Sequence, residues 1–102
     1  MEFGKQRRMQ RIFKADGRTL IVAMDHAAYM PDVVVGLQDP GRYIQEIHAA
    51  GADAVMTTLG TIRKIQAKII DFPMILSMES GYPNIEDFVV QGLRLGVDML
   101  KC

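Results

Sequence analysis

The sequence predicts an α/β chain in which parallel strands alternate with helices. Two observations carry that reading. First, short apolar runs without polar alternation, the pattern of strands buried on both faces, are separated by stretches of helical periodicity. Second, one helix-to-strand joint occurs twice, as Ala50-Gly51-Ala52-Asp53-Ala54-Val55 and as Leu95-Gly96-Val97-Asp98-Met99-Leu100. Strands and helices alternating in this way imply right-handed crossovers and a parallel sheet covered by helices. The expected count is four strands and three helices in one domain.

Taken in order, residues 1–18 form a basic arm or helix and a turn. Lys5 to Phe13 reads as a short basic helix or an arm, and Ala15-Asp16-Gly17-Arg18 is the turn signal that follows it. Leu20 to Met24 reads as a first strand buried on both faces, stopping at Asp25-His26. The stretch to Gln38, with Pro31 and three successive valines, reads as a long loop with a helical turn. Asp39-Pro40 is a helix start, because the carboxylate caps free amides and proline tolerates the first helical position. That helix runs toward Gly51. The second strand is Asp53 to Thr58, and the second helix runs from Thr61 to Ile70 with Ile62, Ile65 and Ile69 on one face. Arg63, Lys64 and Lys68 then face water. Pro73 to Glu79 is a third strand, its proline placed where a missing amide matters least. Asn84 and Asp87 resemble a cap for a helix through Leu95, which Gly96 ends, and a fourth strand begins at Val97.

Length and charge bound the function. A chain of 102 residues holds one domain but is far short of the ~250 residues of a closed eight-stranded barrel. Twelve basic residues balance twelve acidic ones, so no global field recommends nucleic acid or an anionic membrane as a partner. One cysteine, Cys102, excludes an internal disulfide, no apolar run reaches the ~18 residues of a membrane span, and the N-terminal stretch lacks a secretory core. The expected compartment is the cytoplasm. No glycine-rich phosphate loop of the nucleotide-binding kinds occurs.

Parallel α/β architectures bind substrates beyond the carboxyl ends of their strands. The candidates are therefore Asp25 and His26, Thr57 to Gly60, Glu79 and Ser80, and Lys101. Asp25 stands out, since a carboxylate ending an apolar strand is costly to bury without a partner or a task. It is the expected catalytic group, a proton carrier at a substrate hydroxyl; a strand-end cap or a lysine salt bridge is the structural alternative. His26, Glu79 and Lys101 are candidate substrate-binding residues. Asp25, His26, Asp32 and Glu79 contain metal-ligating types, but their spacing carries no metal signature, and neither metal nor cofactor is expected. Met56, Met74, Met78 and Met99 read as core, His48 as surface or core filling, and the aspartates of the repeated joint as backbone ligands.

Arg11-Ile12-Phe13, then Asp16-Gly17-Arg18-Thr19 leading through Leu20 to Met24 and Asp25-His26, resembles the opening of the archaeal-type class I fructose-bisphosphate aldolases. Their relatives include aminodideoxyheptulosonate synthases and the autoinducer-2 thiolase. Gly51 to Val55 with Thr57 to Gly60 resembles the second strand and its loop in the same group. The resemblance implies a parallel (β/α) barrel of TIM type, of which this chain is the N-terminal half. It also implies metal-independent Schiff-base chemistry on a phosphorylated sugar such as fructose 1,6-bisphosphate, with Asp25 as the aspartate that ends the first strand. The family's Schiff-base lysine lies on the sixth strand, so the chain alone is expected to be inactive. Lys101, on the fourth strand, is not its equivalent, and Ala27 stands where the family has glycine. The alternative expectation is a non-catalytic half-barrel that dimerises or binds a phosphorylated small molecule. A homo-oligomer is expected in either case, because the two outer strands have open edges.

Overall fold

The computed structural model describes residues 2–25, 39–65, 71–78 and 82–102. Among these, the elements are α1 (Phe3–Ile12), β1 (Ile21–Ala23), α2 (Pro40–Ala49), β2 (Ala54–Thr57), α3 (Leu59–Ile65), β3 (Met74–Ser77), α4 (Ile85–Leu95) and β4 (Met99–Lys101). The strands form one parallel sheet in the order β1-β2-β3-β4. The expected α/β alternation is therefore present, and the sheet is compatible with part of a (β/α) barrel.

Local chemistry explains the boundaries. Asp39 caps α2 by accepting the Arg42 amide at 3.4 Å, with Pro40 in the first helical position. Asn84 caps α4 through the amides of Glu86 and Asp87, at 2.9 and 3.2 Å. Gly51 and Gly96 follow α2 and α4 with φ of 103° and 75°, a region that a side chain would make strained. The second helix starts at Leu59 rather than at Thr61, because the Thr58 hydroxyl accepts the Thr61 amide and so serves the helix start. Ile69 and Lys68 lie outside the described residues. The basic arm is a helix, and it begins at Phe3, two residues before the expected start at Lys5.

Strand alternation divides the side chains between two clusters. Val55, Met74, Leu76, Met24 and Leu100 join Ile44 of α2, Ile62 and Ile65 of α3, and Phe88 of α4. Ala54, Met56, Ile75 and Met99 take the opposite face with Ile12 and Phe13. Helices α2 to α4 thus cover one face, while the end of α1 covers part of the other. Each fully buried Phe or Ile stabilises the fold by about 1.5–3 kcal/mol, so the helix-covered cluster dominates the stability.

One expectation needs correction. The first strand was expected to be buried on both faces, yet Ile21 is 37% and Leu20 56% exposed, and Ala23 is exposed as well. Its apolar run matches that of β3, which is buried throughout. The difference is position: among the described residues β1 is an edge, with a strand on one side only.

Candidate functional site

The two ends of the strands have different chemistry. At the amino ends, Asp53 accepts the Leu20 amide at 2.7 Å and Asp98 accepts the Met74 amide at 3.0 Å. Each aspartate precedes its own strand and ties down the start of the neighbouring one. Both carry a cationic partner from α1 or the turn after it: Arg11 contacts Asp98 at 2.8 Å, and Lys14 contacts Asp53 at 3.6 Å. The Thr19 hydroxyl donates to the Ile12 carbonyl at 2.7 Å, holding α1 against this end. Here the expected backbone role of these aspartates is met, although their amides lie 33 and 24 residues away rather than in the adjacent turn.

The carboxyl ends carry the candidate site. Ala23, Met56, Ile75 and Met99 stand in register across the four strands. Carried two residues further, the same register aligns Asp25 with Thr58, Ser77 and Lys101. An apolar row is thus followed by a wholly polar one. Asp25 is buried, and its Oδ2 accepts the Ser77 hydroxyl at 2.8 Å while the Lys101 ammonium stands at 3.8 Å. Aspartate on β1's end, serine on β3 and lysine on β4 therefore converge above the intervening β2. Beneath them, Thr57 is fully buried and donates to the Met24 carbonyl at 3.1 Å, fixing the backbone just before Asp25. The Lys101 side chain is 52% exposed, so the row faces water on its outer side.

This arrangement brings together two of the expected residues. Asp25 and Lys101 meet, and the lysine is the last residue of β4. Of the two readings of Asp25, the lysine salt bridge is present in this geometry. His26 and Glu79 lie outside the described residues, as do Asp32 and Ser80. Ser77 is not among the expected candidates, because the expected third strand runs on to Glu79 and places Ser77 inside it, whereas β3 ends at Ser77. The available signal was its polarity and period: in Met74-Ile75-Leu76-Ser77, the serine shares the face of Ile75 at the strand's last position.

A carboxylate that accepts a hydroxyl and is paired with a half-exposed ammonium can exchange a proton with a ligand and can hold a ligand hydroxyl in place. Among the described residues, no group of three or more His, Cys, Asp or Glu side chains is placed to hold a metal. The expected core role of the methionines is met, with Met74 buried and Met56, Met78 and Met99 packed against the two clusters. His48 is exposed and stacks on Phe72 with ring centroids 4.3 Å apart. No helix among the described residues is long and apolar enough to cross a membrane.

Fold and site together define an α/β chain whose parallel sheet carries a charged, polar row where proteins of this architecture bind their ligands. Set beside known proteins, its sequence matches no family model and no curated protein.

Proposed function

We propose that this chain contributes the first four strands of a TIM-type (β/α) barrel in a class I, Schiff-base aldolase that acts on sugar phosphates such as fructose 1,6-bisphosphate. The observation that supports the reading most is the position of Asp25, a buried carboxylate at the carboxyl end of β1, braced by Ser77 and Lys101. In this role Asp25 accepts the proton of the substrate hydroxyl as the carbon–carbon bond breaks and returns it in the reverse direction. Ser77 orients the carboxylate, and Lys101 supplies a countercharge. The imine-forming lysine belongs to a later strand in the family the sequence resembles, so this chain supplies proton transfer and positioning but no nucleophile.

A second reading, a binding module for phosphorylated small molecules, draws on the half-exposed Lys101 ammonium. The two readings divide on Asp25. Amide chemical shifts are followed while dihydroxyacetone phosphate, fructose 1,6-bisphosphate and inorganic phosphate are added in turn. The aldolase reading expects the two sugar phosphates to move the signals of Asp25, Ser77 and Lys101, and Asp25→Asn to weaken that response at least tenfold. Equal responses to all three ligands, retained in Asp25→Asn, would support the binding module. No response at the row would sink both. Borohydride trapping with dihydroxyacetone phosphate, read by intact mass, is expected to give no adduct; an adduct at Lys101 would make that lysine a nucleophile and overturn its supporting role.

A further inference from the structure

The last bonds between β1 and β2 depart from the pattern of the sheet. In a parallel pair the bonds follow one another at even spacing along the two strands, and here the Leu20 carbonyl accepts the Ala54 amide while the Met24 amide donates to the Met56 carbonyl. One step further, this ladder would bring the Thr58 amide to the Met24 carbonyl and pair Asp25 with Thr58. Among the described residues that bond is not made. The paired register stops at Ala23 and Met56, and the Met24 carbonyl accepts the Thr57 hydroxyl at 3.1 Å instead. The chain of β2 turns away at this point, since Thr58 already serves α3, its carbonyl accepting the Ile62 amide and its hydroxyl the Thr61 amide. Between β3 and β4 the regular pairing continues one level higher, to Ser77 and Lys101.

We infer that Thr57 is a positioning residue for Asp25, its hydroxyl standing in for the last ladder bond so that β2 leaves the sheet beneath the carboxylate. β1 and β3 lie two strand spacings apart, roughly 9–10 Å, yet Asp25 Oδ2 and the Ser77 hydroxyl meet at 2.8 Å above β2. A Thr58 held in the ladder would carry β2 on between them. A Met24 carbonyl merely deserted by the Thr58 amide would be left in the core without a donor, which a folded chain seldom tolerates. The Thr57 hydroxyl meets both demands at once: it satisfies the carbonyl and frees the next residue to turn. Its side chain is fully buried, so it touches no ligand and acts only through the backbone that carries Asp25. Valine would fill nearly the same space, and the hydroxyl alone explains a threonine here. The consequence for chemistry rests on the role proposed for Asp25, whereas the geometry stands without it.

Thr57→Val and Thr57→Ser, each with and without Ser77→Ala, are compared in urea denaturation of the full chain. In the parent, Ser77→Ala is expected to raise the unfolding equilibrium constant about tenfold, the usual loss of a hydrogen bond to a charged group. In the Thr57→Val background the same change should raise it less than about threefold, because Asp25 has already lost its reach to Ser77. Thr57→Ser keeps the hydroxyl and should restore the effect to about tenfold. Strictly additive losses for Thr57→Val and Ser77→Ala would make Thr57 an ordinary buried side chain and overturn the inference. Amide hydrogen exchange of the unmutated chain makes the same check without a substitution. The Thr58 amide, outside the ladder, should exchange at least about tenfold faster than the Met56 amide, and equal protection would overturn the inference. Neither measurement uses a ligand, so a chain that ignored sugar phosphates would sink the proposed function while these outcomes still decided on Thr57.

Discussion

Asp98 shows how one side chain fastens two elements at once. It is buried, it accepts the Met74 amide and it meets the Arg11 guanidinium. The two contacts differ in weight. Arg11 is half-exposed, and such a pair contributes only about 0–1 kcal/mol, whereas a buried amide left without an acceptor costs about 1–3 kcal/mol. Asp98→Ala is therefore expected to destabilise the fold by roughly 2 kcal/mol, and Arg11→Ala by less than about 1 kcal/mol, as urea denaturation would measure. Asp53→Ala should cost less than Asp98→Ala, because the Leu20 amide lies in an exposed stretch. If the two arginine and aspartate losses proved equal, the ion pair rather than the amide would be the main contact. The repeat of these aspartates was legible in the sequence, and so was Asp25 at the strand's end. Their partners were not, since a hydrogen bond from Met74 to Asp98 or from Ser77 to Asp25 depends on strand order, which no local pattern specifies.

At the level of elements, the close packing of α4 on the sheet depends on Gly92. A Cβ there would meet Leu100 at 2.6 Å, and Leu76 and Val97 at 3.4 Å. Leu100 is half-buried on an edge strand and its methyl is the far end of a flexible side chain, so it can turn aside. Alanine also gains about 1 kcal/mol of helix propensity over glycine. Gly92→Ala is expected to stay within about 1 kcal/mol of the parent, while Gly92→Val, which presses on all three neighbours, should cost about 1–3 kcal/mol. Thermal unfolding of the two variants checks this, and a strongly destabilised alanine variant would mean that Leu100 has no room to move. Most elements were legible because their signals are local: Asp39-Pro40 and Asn84 begin helices, and Gly96 ends one. The start of α3 was misplaced by two residues because Thr58 was read as strand, although its hydroxyl serves the helix. The burial of β1 was misread for a different reason. Its composition is that of an interior strand, and only the sheet order reveals it as an edge.

For the whole molecule, stability is distributed from the centre of the sheet outward. Among the described residues, β2 and β3 each have a strand on both sides and are largely buried, whereas β1 and β4 have one neighbour and are partly exposed. Amide hydrogen exchange should therefore be slowest at residues such as Val55 and Leu76 and faster by at least tenfold at the β1 and β4 edges, as local opening starts where fewest contacts resist it. Uniform protection across all four strands would show that both edges are covered in solution. The paired aspartates have a further consequence for how the chain is made. Asp53 tethers β2 to the stretch entering β1, and Asp98 tethers β4 to β3, so each clasp joins neighbouring strands and refers only to chain already synthesised. As the polypeptide leaves the ribosome amino end first, the β1–β2 register can lock once β2 has emerged behind Asp53, without waiting for β3 to emerge. The molecule is thereby suited to assembly during translation, one latched pair at a time.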